Sequence, residues 1–153
     1  MGIRMTTSYS EIQATIRAKK ERAEMLTIRA LAYLGEQCVI EARNRSQEES
    51  WIDQTGNLRS SIGYVISHNG RIVQISDFQQ VKNGSKGKQT GMDLAKELVQ
   101  QYTNDYVLVV VAGMNYAEYV EAMDNKVVLA SAELFAKKEL PIMMEKLKTQ
   151  LAK

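Results

Sequence analysis

One histidine, His68, and one cysteine, Cys38, are the side chains of these 153 residues best suited to nucleophilic or general-base chemistry near neutral pH. A Cys–His dyad needs the two in contact. Cys38 stands in the middle of a helical pattern among apolar neighbours, where a thiol behaves as a small hydrophobe, and His68 directly precedes a turn signal. There is no second histidine for a serine triad and no G-x-S-x-G elbow. Glu118 and Glu121 are three apart and can share a helical face, as can Glu48 and Glu49 with Asp53, but carboxylates on a solvated helix are commonplace. No cluster of cysteine and histidine has metal-ligand spacing. Gly87-Lys88 invites comparison with a phosphate-binding loop, G-x-x-x-x-G-K-[ST]. The first glycine position holds Lys82 and the hydroxyl position holds Gln89, so the pattern fails. The reading is of a protein that is not an enzyme and takes no cofactor or metal.

The totals agree with an interaction protein. The length suits one domain, residues 1–153, and 44% hydrophobic with 25% charged residues is ordinary globular composition. No apolar run is long enough to span a bilayer, and the first residues lack the apolar core of a signal peptide. A lone cysteine forms no internal disulfide, which favours a reducing cytoplasm. Net charge is only +2, low for a nucleic-acid binder. What basicity there is gathers between Asp77 and Asp93, where Lys82, Lys86 and Lys88 stand without an acid among them.

The pattern predicts an α+β chain. A long helix should run from about Tyr9 to Arg45, opened by a capping box at Ser8 and Glu11 or at Ser10 and Gln13. Its second half is apolar nearly all round, so more than one neighbour must cover it. That cover is either a second helix of the same chain or another subunit, with Met25, Ile28, Leu31 and Val39 as the candidate interface. Thr55 is placed to cap a short helical turn after Gly56. Asn69-Gly70 suits a two-residue type I′ hairpin that sets Ile66 opposite Val73 and Tyr64 opposite Ile75. Residues 82 to 91, with three glycines and no aliphatic or aromatic side chain, read as a mobile loop before a helix over about 92–103. The apolar run Tyr106 to Ala112 reads as the middle strand, buried on both faces. Tyr116, Tyr119, Val120 and Met123 fall at i, i+3, i+4 and i+7 of a short helix, which Tyr116, Tyr119 and Val120 should pin to the sheet edge; Lys126 to Ala130 reads as a last strand, and Ser131 as the cap of a final helix that Pro141 kinks or divides into two segments. The sum is a long N-terminal helix, a mainly antiparallel sheet of about four strands, short helices and a C-terminal helix packing on the sheet.

Two segments carry a resemblance. Thr55-Gly56-Asn57-Leu58-Arg59-Ser60-Ser61-Ile62 and Gly113-Met114-Asn115-Tyr116-Ala117-Glu118-Tyr119-Val120-Glu121 resemble the tail-component proteins (neck or tail-completion) of lambdoid long-tailed bacteriophages. In that family a long helix, T-G-x-L-[RK]-x-S-I, a hairpin, a variable loop, a strand, a Y-A-x-Y-V-E helix and a C-terminal helix follow in this order. The family's Gly-Thr turn after the second motif is absent here, as is its Pro-Phe segment before the last helix. The resemblance implies a structural protein at the head–tail junction of a phage or prophage. It would act as a ring-forming homo-oligomer beside head-closure and tail proteins, made in the host cytoplasm and carried in the virion. On this reading the loop with Lys82, Lys86 and Lys88 faces passing genomic DNA, and no membrane is involved. The alternatives are a small nucleic-acid-binding module using that loop with Arg43, Arg59 and Arg71, or a small hydrolase-type enzyme using Glu118 or Glu121.

Overall fold

In the computed structural model, residues 2, 6–44, 53–123 and 127–153 are described. The element order is α1 (Tyr9–Arg43), α2 (Asn57–Ser60), β1 (Ile62–His68), β2 (Arg71–Ile75), α3 (Ser85–Val99), β3 (Tyr106–Ala112), α4 (Ala117–Ala122) and α5 (Ala130–Leu151). Glu48, Glu49 and Lys126, along with the end expected for α1 near Arg45, lie outside the described residues.

Helix α1 starts where its sequence says. The Ser8 hydroxyl accepts from the Glu11 N–H at 3.2 Å, and the Glu11 carboxylate accepts from the Ser8 N–H at 2.8 Å. The sheet is antiparallel with three strands in the order β2-β1-β3. Helices cover both faces. On one, Ile62, Tyr64 and Ile66 pack with Leu34, Cys38, Val39 and Ala42 of α1 and Ala132 of α5. On the other, Val65 and Val111 pack with Ala95 and Val99 of α3 and with Phe78. Helix α5 lies beside α1 and runs back along it: the Cys38 thiol donates to the Ala132 carbonyl at 3.7 Å, and the Arg22 guanidinium to the Gln150 carbonyl at 3.1 Å. The second cover that the apolar half of α1 requires is therefore the chain's own α5.

Four expectations are corrected. The middle strand is β1, not β3. β1 carries Gly63 and Ser67, which disguise it in sequence; a Cβ on Gly63 would stand 2.5 Å from the Phe78 ring. Second, Asn69 (φ 51°) and Gly70 (φ 76°) make the turn, but Ile66 pairs with Gln74 while Ser67 pairs with Ile72. Val73 is thus the extra residue of a bulge, which re-aims the rest of β2. Ile75 consequently stands opposite Val65 on the α3 face, and Val73 is exposed. Third, Val127 to Leu129 do not form a strand, and helix α5 begins at Ala130. It continues through Pro141 as one helix.

The fourth concerns residues 82 to 91. Only 82–84 form a turn, and Ser85 onward is helix α3, which ends at Val99. Its glycines are not there for looseness. A Cβ on Gly87 would lie 1.9 Å from the Asn57 carbonyl oxygen, and one on Gly91 would lie 2.4 Å from that of Ser61. Glycine at 84, 87 and 91 lets α3 lie directly on α2 and the start of β1. Gly113 closes the same corner, its α-carbon side facing Gly91 at a distance that leaves no room for a Cβ.

Candidate interaction surface

The Thr55–Ile62 segment is the hub of that corner. Gly56, at φ +81°, turns the chain into α2, and a Cβ there would meet the Val81 carbonyl at 2.0 Å. The cap comes from Asp53, whose carboxylate accepts from the Gly56 and Arg59 N–H groups, each at 3.0 Å. Thr55 adds a bond from the Asn57 N–H at 3.3 Å. The Asn57 side-chain oxygen accepts from the Gly87 N–H at 3.0 Å, and the Ser60 hydroxyl from the Val81 N–H at 2.8 Å. The Ser61 carbonyl accepts from the Gly113 N–H at 3.1 Å, so the two motif segments meet. Leu58 and Ile62 are fully buried beneath them.

The second motif divides differently from expectation. Ala117 and Val120 pack into the α1–α5 side of the core, whereas Tyr116 and Tyr119 do not pin α4 to the sheet. Tyr119 is 68% exposed and Tyr116 38%. Burial, and then the charge of Asp53, push the Tyr116 phenol above its ordinary value. Glu121 reaches across to the start of α5, where its Oε1 accepts from the N–H groups of Val128, Leu129 and Ala130 at 3.3, 3.0 and 2.6 Å. It thereby takes up the N–H of the first helical residue and the two N–H groups leading into it, at a helix that no side chain of its own N-cap bonds, and its negative charge suits that helix end. This replaces the cap expected from Ser131, which is buried.

The candidate nucleophile and base are not brought together. Cys38 is buried against α5, its thiol raised above the ordinary value by burial and by the nearby charge of Glu41. His68 stacks on Tyr106 at 3.9 Å between ring centroids, at the far end of β1 from Ile62. Of the three lysines, Lys82 stands in the turn and Lys86 and Lys88 on α3. Lys82 donates to the Asp53 carbonyl at 2.7 Å, and Lys88 lies 3.4 Å from the Asp77 carboxylate. Lys86 is exposed on the first turn of α3. Arg43 and Arg59 line one cleft of about 470 Å³ beside Phe78 and Val81, with Glu36 and Asp77 also on its wall. Burial, then the neighbouring Arg59, holds Arg43 below its usual range, and its guanidinium donates to the Gln79 carbonyl at 2.8 Å.

Of the interface candidates on α1, Val39 is buried in the core and Leu31 packs against it; Ile28 is half-buried and Met25 remains exposed. This row, open in sequence to a second helix of the chain or to another subunit, is largely covered by α5 and the sheet. Further exposed apolar side chains on these helices include Tyr9 and Ile16 at the start of α1, Tyr33 and Ile40 further along it, and Leu134, Leu140, Met144 and Leu151 on α5. Spacing of apolar residues marks these as helix-surface positions; which rows stay bare depends on where α5 docks, and the sequence does not state that.

These features define an α+β fold with a sheet sandwiched between helices and several exposed apolar side chains on α1 and α5. No known protein family, curated protein or solved structure matches the chain. Among the described residues no helix is long and apolar enough to cross a membrane.

Proposed function

We propose that the chain is a structural subunit of a phage or prophage head–tail junction, a neck or tail-completion component that works by self-association into a ring. The observation that carries the self-association is the apolar surface left bare on α1 and α5, where Tyr9, Ile16, Tyr33 and Leu134 are each more than 60% exposed. Large apolar side chains left in water along two helices support a reading of self-association there. The junction assignment rests on the resemblance of Thr55–Ile62 and Gly113–Glu121. That these segments form one corner of the fold, bonded through Ser61 and Gly113, supports treating them as one signature. Lys82, Lys86 and Lys88, in the turn and first residues of α3, would then face the DNA channel. Three lysines give a weak, salt-screened attraction past which a genome can slide.

The test is the composition of particles. Phage particles released by inducing the host, banded on a density gradient and quantified by peptide mass spectrometry, should contain this chain in a constant multiple per particle. Full-length particles that lack it contradict the assignment.

A further inference from the structure

Helix α1 outruns its partner. The Arg22–Gln150 contact marks where α5 ends along it, so residues 9–21 extend past that end by about 20 Å at 1.5 Å per residue. This overhang carries an apolar row at i, i+3 and i+7, namely Tyr9, Ile12 and Ile16, with Tyr9 73% and Ile16 63% exposed. A helix ordered alone in water gains nothing from such a row.

A second, half-exposed row lies on α5. Leu140, Met144 and Leu151, each 42% exposed, flank the buried Leu147 at the edge of this helix's contact with the core. The row runs on from a mainly apolar cleft of about 540 Å³ between Ala136 and Val110 of β3. From Leu140 to Leu151 it is about 17 Å long, close to the overhang's length. The overhang cannot reach it within one chain, because it points away beyond the end of α5 and a continuous helix does not fold back.

We propose that the overhang of one copy packs its Tyr9–Ile12–Ile16 row onto the Leu140–Met144–Leu151 row of a second copy. The contact joins two different surfaces, so it is head-to-tail and propagates until it closes, as a ring requires. The inference rests on the self-association proposed above and specifies its interface.

Two single variants test it, Ile16→Cys and Met144→Cys, the native Cys38 being buried. Both positions are exposed, so neither change threatens the fold. Mild oxidation of an equal mixture should give a disulfide-linked pair, and neither variant alone should. In parallel, Ile16→Asp and Met144→Asp should each weaken assembly by about tenfold or more. Mixed together they should yield pairs and nothing larger, because only one productive contact remains. Cross-linking by Ile16→Cys alone overturns the proposal, as does undiminished assembly of both aspartate variants, and either result leaves the ring reading standing. A wild-type chain that stays monomeric at every concentration removes the ring reading and this inference with it.

Discussion

Replacing Gly87 with alanine should destabilise the protein, although the same change in a solvated helix would stabilise it. Alanine is favoured over glycine by about 1 kcal/mol in a helix interior. At position 87 the added Cβ would sit 1.9 Å from the Asn57 carbonyl oxygen, 2.6 Å from its carbon and 2.7 Å from its Cα. All three are backbone atoms, so no side-chain rotation relieves the clash. Helix α3 must move by more than an ångström from α2, which strains the Gly87–Asn57 hydrogen bond and loosens the Gly91–Gly113 contact further along. Overpacking of this kind costs about 1–3 kcal/mol and occasionally more. With the cost near the top of that range and the propensity gain subtracted, a net loss of about 2 kcal/mol is expected. For a chain of this length that lowers Tm by about 4–8 °C. Lys86→Ala, on the exposed side of the same helix, serves as the control and should change stability by less than about 0.5 kcal/mol. Urea denaturation at constant m-value measures both. If Gly87→Ala matches or exceeds wild-type stability, residues 85–91 do not lie against α2, and the account of the glycines is refuted.

Three further outcomes follow from the same geometry. Glu121→Ala should lower stability by about 1–3 kcal/mol, because three N–H groups at the start of α5 lose their acceptor, while Glu121→Gln should lose less; thermal melts that rank the two in reverse contradict the capping role. Burial, followed by the Glu36 interaction, pushes the Tyr64 phenol from 10.0 up to about 12. The folded state thus holds this proton longer than the unfolded chain, so the contribution of Tyr64 to stability should be constant below about pH 10 and be lost as pH rises towards 12. Urea midpoints followed across that window should lose part of the fall in Tyr64→Phe. Finally, a thiol-specific disulfide reagent should label Cys38 only as fast as the protein opens, because the thiol is buried and poorly ionised; labelling at the rate of a free thiol in native buffer would show the α1–α5 contact to be open.

Much of the frame was legible because local signals and tertiary structure agree. Ser8 and Glu11 sit at a helix start, and Asn69-Gly70 supplies the two positive φ angles that a type I′ turn needs. The failures share a cause, which is that sequence reports composition while close approach decides its meaning. Glycine at 84, 87 and 91 is penalised by helix propensity, yet the α2–α3 contact admits nothing larger. Gly63 and Ser67 made the central strand look peripheral for the same reason. The bulge at Val73 leaves no mark in a strand that alternates well on both sides of it. On the candidate surface, sequence identified α1 as over-apolar but not which rows α5 would cover. Val39 was hidden, and Leu140, Met144 and Leu151 were left half-exposed.

The central claim is self-association into a closed ring. Native mass spectrometry of the purified wild-type chain at increasing concentration, with electron-microscopy class averages of the largest species, tests it most directly. The account predicts one dominant species whose mass is an integral multiple of 17.3 kDa and whose averages show cyclic symmetry. A 17.3 kDa monomer at every concentration, or an open distribution of lengths without a closed member, would contradict it.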